Sequence, residues 1–316
     1  MSGEALRRAE ESLLALSVGD ALGERFFGPP DVVLERLARR ELPRPTWSWT
    51  DDTQMAAALV DSLARHDGKV VDDDLMRTFA AAFEPGRGYG SAMRDTLTAV
   101  RAGAAWRPLV TSVFGGSGSW GNGAAMRVAP VGAWYAGDPV RAAEVARAQA
   151  IVTHTHPEAA EGAAAVAVAA ALVATGEALP GRAELLRDVA SYVAPSQVRE
   201  GLLDAADLDL VAGTLETSQQ AARILGNGYD VSAQDTVPFA LWCALSSPDD
   251  LEATFWTVVA GLGDRDTTSA MACGVVGARV GAAGIPPEWL GCVEPLPARA
   301  QRDWTSRITG AFRRGR

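Results

Sequence analysis

Apolar residues recur at helical spacing along almost the whole chain, and this periodicity limits the fold more than any other feature of the sequence. One such stripe begins near Leu6, another near Met55 and a third near Val140. Alternation of apolar and polar residues, which is typical of strands, is nearly absent, and residues 110–114 form the best short candidate. The sequence therefore predicts an all-α fold, built as one compact domain over residues 1–316.

The segment 267–283 is a further predicted helix with an unusual content of alanine and glycine. Gly274, Gly277 and Gly281 would each weaken an isolated helix by about 1 kcal/mol relative to alanine. Glycine is useful in such a helix where neighbouring elements approach its backbone closely. We therefore expect this segment at the centre of the fold.

The charge balance excludes several classes of protein. The 316 residues include 29 Lys and Arg against 39 Asp and Glu, which gives a net charge of −10. A surface this acidic repels nucleic-acid backbones, so a nucleic-acid binder is not expected, whereas a small phosphate-bearing ligand or a cation is compatible with it. Three cysteines form no paired framework, and no signal core or apolar stretch of about 20 residues is present. We expect a cytoplasmic protein that does not bind membranes.

Two acidic clusters, at residues 50–53 and 263–268, each stand beside a predicted helix start. Helix capping alone explains much of either cluster, with a hydroxyl at the N-cap and acids in the first turn. Together they offer four aspartates and flanking threonine hydroxyls, and oxygen ligands of this kind suit hard cations such as Mg²⁺ or Mn²⁺. We interpret the pair as a binuclear metal site.

A glycine-rich segment, residues 115–123, precedes another predicted helix. It contains a GxGxxG match at Gly116, Gly118 and Gly121, but the strand and the βαβ alternation of a dinucleotide-binding fold are missing. Two interpretations stay open. The segment is an ordinary flexible loop, or its exposed amides cradle a phosphate at a helix start.

Two histidines and one tyrosine are further candidates. His154 and His156 lie in one short motif, where structural hydrogen bonding is the first interpretation and ligand contact the second. Tyr229 follows a glycine turn at residues 226–228. Its ring either belongs to the core or offers a face on which a planar group stacks.

Five segments, in order along the chain, resemble motifs of the ADP-ribosyl-glycohydrolase family, which includes the hydrolases that reactivate ADP-ribosylated dinitrogen reductase. They are GDALG at residues 19–23, TDDT at 50–53, GNGAAMR at 121–127, THTHP at 153–157 and DRDT at 264–267. Each motif is weak alone, but five in order are specific. They cover a core of about residues 10–285.

The resemblance implies an orthogonal helical fold with a binuclear Mg²⁺ or Mn²⁺ centre at the base of an ADP-ribose cleft. The implied metal ligands are Thr50, Asp51, Asp52, Asp264, Asp266 and Thr267. The implied substrate contacts are Ser119, Trp120, Gly121, Asn122 and Gly123 for the diphosphate and distal ribose, His154 and His156 near the ligand, and Tyr229 against the adenine. The implied reaction cleaves the bond from ribose C1 to an arginine or serine side chain and releases ADP-ribose.

In such a site, Asp264, Asp266 or a nearby glutamate acts as general base toward the attacking water. Family members often carry a glutamate four positions beyond the second glycine of the opening motif, where this chain has Phe27. Glu24 lies three residues earlier and, if the segment is helical, shares a face with position 27, so it is the candidate to replace the family glutamate. Arg265, between two proposed ligands, either pairs with a carboxylate or narrows the choice of acceptor.

The sequence therefore predicts a metal-dependent glycohydrolase that acts on the ADP-ribose group of a modified protein or small molecule. Two alternatives stay open. One is a non-catalytic ADP-ribose-binding relative, which Phe27 favours and the intact aspartates disfavour. The other is a hydrolase of a different conjugate, such as O-acetyl-ADP-ribose.

Overall fold

The computed structural model describes residues 2–297, and this range is mostly helical with no β-strand. The prediction of an all-α fold is confirmed. The helices are α1 (Ser2–Glu24), α2 (Pro30–Ala38), α3 (Asp51–Arg65), α4 (Asp72–Ala82), α5 (Ser91–Arg101), α6 (Trp106–Thr111), α7 (Ala129–Trp134), α8 (Pro139–Ala150), α9 (Pro157–Val173), α10 (Arg182–Ser191), α11 (Gln197–Asp207), α12 (Leu215–Leu225), α13 (Ala233–Ser246), α14 (Leu251–Val259), α15 (Arg265–Val280) and α16 (Pro287–Leu290). The C-terminal end of the predicted domain, residues 298–316, lies outside the described residues.

The centre of the fold is an antiparallel pair formed by α1 and α15. Glycines allow the two backbones to meet: a Cβ on Gly277 would overlap Ala15, and a Cβ on Gly23 would lie 2.5 Å from the Arg265 carbonyl oxygen. Gly281 instead ends α15 with a positive φ of 63°, which a residue with a Cβ rarely adopts. The expectation that the glycine-rich helix is central is confirmed.

The pairing of α1 with α15 determines where the acidic residues meet. Because the two helices are antiparallel, the C-terminal end of α1 lies beside the N-terminal end of α15. Helix α3 packs against both, and its N-terminus is hydrogen-bonded to α1 through Asp20. Two helix N-termini, each carrying a partial positive charge, thus point toward one group of carboxylates.

Helix α9 is largely buried and supports the other side of the site. It begins with His156 as N-cap and Pro157 in the first turn, and its alanines let α7, α8, α13 and α15 pack on all sides. The segment just before it carries His154 toward the centre of the molecule. No helix among residues 2–297 has the length and apolar character to span a bilayer.

Two local expectations are wrong. Residues 110–114 form no strand, because Val110 belongs to α6 and Val113–Gly116 form a 3₁₀ turn in which Phe114 has a left-handed φ of 51°. So short an apolar run has no partner strand to pair with in an all-helical fold. The α-helix expected directly after the glycine-rich segment is also displaced: a 3₁₀ turn, Asn122–Ala124, follows the segment, and α7 begins only at Ala129.

Candidate active site

A group of buried carboxylates from three helices forms the centre of the site. One oxygen each of Asp20, Asp52 and Asp266 lies within 4.8 Å of the others. Asp20 comes from the last turns of α1, Asp52 from the first turn of α3 and Asp266 from the first turn of α15. Asp52 and Asp266 are predicted metal ligands, whereas Asp20 lies in the GDALG motif and was not predicted as one.

Asp20 fastens the N-terminus of α3 to α1. Its carboxylate is fully buried and accepts hydrogen bonds from the backbone N–H of Thr50 at 2.9 Å and of Thr53 at 3.1 Å. The hydroxyls of the same threonines donate to it at 2.9 Å and 2.5 Å. Thr50 also caps α3, accepting from the Asp52 N–H at 3.3 Å. The threonines of the TDDT motif therefore hold Asp20, while its aspartates face the site.

The carboxylate centre fits a hard divalent cation. Asp52 Oδ1 and Asp266 Oδ1 are buried without a hydrogen-bond partner among residues 2–297. Burial and repulsion from neighbouring aspartates raise the pKa of both groups well above the usual range, and burial with the charge of Asp20 raises the pKa of Asp51 to about 7. Burial raises the pKa of Asp20 to about 6, although its threonine partners oppose this. A cation would supply the missing partner and offset the repulsion.

Asp264 and Thr267 complete the centre from the start of α15. Asn122 Nδ2 donates to Asp264 Oδ2 at 2.7 Å and to Thr236 Oγ1 at 3.1 Å, so the glycine-rich segment holds this carboxylate in one orientation. Thr267 Oγ1 lies 3.5 Å from Asp52 Oδ2. The structure thus brings together both acidic clusters, which are more than 200 positions apart in the sequence.

One cavity of about 510 Å³ opens on one side of the carboxylates. It is lined by the glycine-rich segment, by Asp51, Asp52, Asp264, Asp266 and Thr267, and by His154. Phe114 stacks on Trp120 at this cavity, with ring centroids 4.5 Å apart. We call it the first cavity.

A second cavity, of about 520 Å³, opens on the other side. It shares Asp264, Asp266 and Gly88 with the first cavity, so the carboxylate centre lies between the two. Glu24 and Phe27 line this second cavity together, and the remaining wall residues are Arg25, Ser48, Trp49, Thr50, Gly86 and Arg87.

The comparisons with known proteins agree with this architecture. A family model described as ADP-ribosylglycohydrolase matches residues 1–315. The chain belongs to the ADP-ribosylglycohydrolase family. ADP-ribosylhydrolase ARH3 of Xenopus tropicalis is 28% identical over 98% of this chain and 96% of its own. ADP-ribosylarginine hydrolase Tri1 of Pseudomonas putida (strain GB-1) is 27% identical over 91% of this chain and 74% of its own.

A solved structure titled ADP-ribosylglycohydrolase-related protein complex has the same fold, with a TM-score of 0.64, 24% identity and coverage of 94% of this chain and 96% of that chain. The family and the names of its relatives identify the protein as an ADP-ribosyl glycohydrolase. The enzyme therefore acts on ADP-ribosylated substrates, and metal dependence is general in its family.

Most of the predicted substrate contacts of the glycohydrolase lie around the first cavity. Ser119, Trp120, Gly121, Asn122, Gly123 and His154 all line the first cavity. His156 does not: its Nδ1 accepts from the Glu158 N–H at 3.2 Å at the start of α9, and its ring meets the edge of Trp120. Tyr229 is 82% exposed beside the lining residues Asp230 and Val231, so its contact with adenine stays a prediction.

Two further residues near the site were not assigned from the sequence: Phe114 was not predicted to line a cavity, and the role of Arg265 stayed open between two alternatives. Phe114 carried a signal in its position beside the glycine-rich segment, since an aromatic residue next to such a loop can cover a bound planar group. Arg265 is buried, and its guanidinium lies 5.0 Å from the centroid of the Phe27 ring. This contact ties the start of α15 to the wall of the second cavity.

Proposed function

We propose that this enzyme hydrolyses the bond between ribose C1 of ADP-ribose and an acceptor side chain, arginine or serine, with two Mg²⁺ or Mn²⁺ ions in the carboxylate centre. The observation that carries the proposal is the position of the carboxylates between two cavities that share Asp264 and Asp266. A substrate with this bond has two parts that meet at the reacting carbon. The first cavity would take ADP-ribose and the second would take the acceptor.

The chemistry of the first cavity suits ADP-ribose. Its volume of about 510 Å³ lies within the range of small-molecule sites. Within the loop Ser119, Trp120, Gly121, Asn122 and Gly123, the N–H groups of Gly121 and Asn122 donate to Ser119 Oγ and to the Val231 carbonyl oxygen. The backbone N–H groups at positions 119, 120 and 123 are the donors that we assign to a diphosphate, and glycine lets the ligand approach the chain closely. Phe114 and Trp120, which stack on each other at this cavity, offer an aromatic surface for a purine.

The carboxylate centre suits the charge that develops during cleavage. Departure of the acceptor leaves positive charge on the ribose ring, which nearby carboxylates stabilise. We assign Thr50, Asp51, Asp52, Asp264, Asp266 and Thr267 as the groups that hold the ions. When bound, such ions polarise sugar oxygens and supply a reactive water at neutral pH. Asp264, oriented by Asn122, accepts the proton of the attacking water, with Asp266 beside it.

Glu24 is assigned as the acid on the acceptor side. Burial and the charge of Asp20 raise its pKa, which favours a carboxyl that still holds a proton to give to the departing group. We expect Glu24→Gln to lower turnover by about a hundredfold, because the amide has no acidic proton to transfer. Steady-state release of ADP-ribose measures this effect. The matched control is Glu35→Gln in α2, since the exposed carboxylate of Glu35 pairs with Arg39 at the surface.

Unchanged turnover and unchanged metal affinity in Glu24→Gln would remove Glu24 from the mechanism. If turnover is unchanged while metal affinity falls, the carboxylate takes part in holding the ions instead.

The proposed function is tested by release of free ADP-ribose from arginine-linked and serine-linked ADP-ribosylated proteins. We expect release with added Mg²⁺ or Mn²⁺, none with EDTA, and a preference for one linkage. O-acetyl-ADP-ribose is the third substrate in the same assay. Turnover of this compound alone would contradict a reaction on modified proteins and would identify a hydrolase of a small conjugate. Tight ADP-ribose binding without turnover of any substrate would identify a binding protein and contradict the proposal.

A further inference from the structure

Arg127 is a fully buried cation behind the first cavity. Its Nε donates to Gln149 Oε1 at 2.8 Å, and one terminal nitrogen donates to the Gln149 carbonyl oxygen at 3.2 Å. The same terminal nitrogen donates to Thr153 Oγ1 at 2.8 Å, and the guanidinium lies over the Phe79 ring at 4.6 Å. A buried arginine costs much free energy unless its donors are satisfied, and these contacts give Arg127 its partners.

The hydroxyl of Thr153 connects Arg127 to His154. Thr153 Oγ1 lies 2.8 Å from His154 Nδ1 and accepts from Arg127 on its other side. Because arginine only donates, the threonine oxygen is an acceptor toward Arg127, and its own hydrogen is available for a second partner. His154 Nδ1 at 2.8 Å is a much better partner for that hydrogen than the Ala150 carbonyl oxygen at 3.5 Å.

The opposite direction is less favourable. If His154 Nδ1 carried the hydrogen, Thr153 would accept from both neighbours, and its own hydrogen would have only the Ala150 carbonyl oxygen, which already accepts the backbone N–H groups of both residues. A doubly protonated ring is also disfavoured, since burial and the charge of Arg127 lower the pKa of His154 to about 3. The hydrogen-bond chain thus favours a neutral ring protonated on Nε2.

His154 Nε2 lies beside the part of the glycine-rich segment that lines the first cavity. The residue lines the first cavity, and its Nε2 lies against the glycine-rich segment, where a Cβ on Gly123 would come within 2.9 Å of this atom. Glycine at position 123 therefore leaves room for the ring. The same segment supplies the backbone donors assigned above to the diphosphate.

We propose that Arg127 and Thr153 are positioning residues that hold His154 as a neutral Nε2–H donor to an oxygen of the bound nucleoside diphosphate. The chain runs from the Arg127 guanidinium through the Thr153 hydroxyl to His154 Nδ1, and leaves the Nε2 hydrogen for the ligand. The ligand part of this inference rests on the proposed function, whereas the protonation of the ring does not.

The protonation of His154 is measured by nitrogen NMR of protein with ¹⁵N-labelled histidine. The chain has three histidines, so the ring signals are few. We expect the ligand-free protein to show His154 as the Nε2–H form and Thr153→Val to lose this uniform state. Thr153→Ser should restore it. His156 is an internal control, because its Nδ1 accepts a backbone N–H independently of Thr153 and should stay unchanged in each variant.

The donor role is measured by calorimetric titration with ADP-ribose. We expect Thr153→Val to bind ADP-ribose about tenfold more weakly and Thr153→Ser to bind it with near-natural affinity. His154→Gln should keep more of the ADP-ribose affinity than His154→Asn, because the glutamine amide can donate from the position of Nε2. ADP-ribose should also shift the His154 Nε2 signal.

A ligand-free ring protonated on Nδ1 would overturn the relay, even if Thr153→Val failed to fold, because the natural protein alone decides it. ADP-ribose that binds without moving the His154 signals would overturn the donor role. Absence of all ADP-ribose binding, with the Nε2–H form present, would contradict the proposed function while the relay itself held.

Discussion

The Asp266→Asn enzyme is expected to release ADP-ribose on the order of a thousandfold more slowly than the natural enzyme while keeping its fold. Asp266 Oδ1 is a buried carboxylate oxygen without a partner among the described residues, and it stands where both cavities meet. The amide keeps the shape of the side chain but removes the negative charge that a cation and a positively charged sugar would both require. The measurement is ADP-ribose release with saturating Mg²⁺ or Mn²⁺.

The control for this prediction is the same substitution at a surface aspartate. Asp249 is 72% exposed in its side chain and pairs with Arg279 in the last turn of α15, whereas Asp266 lies in the first turn of that helix. Asp249→Asn should keep the natural rate, because this carboxylate is exposed and lines neither cavity. Circular dichroism of both variants separates lost chemistry from lost folding. A folded Asp266→Asn enzyme with more than a tenth of the natural rate would contradict the role of the carboxylate.

The helical fold could be predicted because most helices show an apolar stripe that repeats at helical spacing. Helix α9 lacks a one-sided stripe because its run of alanines is buried on all sides, but alanine itself favours a helix. The two acidic clusters could also be interpreted from the sequence, both as helix N-caps and as residues of a metal site. Both interpretations are compatible at Thr50, which caps α3 and donates to the carboxylate of Asp20.

The parts that the sequence did not reveal depend on which helices are neighbours. Asp20 is the one charged residue between Glu11 and Glu24 of α1, and only the antiparallel pairing with α15 brings it to Asp266. Spacing within one helix carries no information about that pairing. The same limit applies to Phe114, whose left-handed backbone turns its ring onto Trp120 in a way that helical periodicity cannot predict.

Without a divalent cation, the enzyme is expected to lose stability as the pH rises from about 4 to about 7. The folded protein raises the pKa of Asp20 to about 6 and of Asp51 to about 7, whereas in the unfolded chain both groups titrate near their ordinary value of 3.8. Between these limits the unfolded chain has released protons that the folded protein still binds. Each step upward in pH therefore favours unfolding, and the loss is complete once the folded groups have also ionised.

Urea unfolding of the protein in EDTA, between about pH 4.5 and about pH 7.5, measures the size of this loss, which should reach several kcal/mol. Mg²⁺ or Mn²⁺ should remove most of the pH dependence, since a cation binds the ionised carboxylates of the folded protein and not those of the unfolded chain. In EDTA, the free energy of unfolding of Asp266→Asn should fall less steeply with pH, because one repelling charge is gone from the centre. Asp249→Asn should keep the natural dependence of this free energy on pH. Stability that is flat or rises with pH in EDTA would mean that the carboxylates are compensated by the protein itself, and the argument for a cation between them would fail.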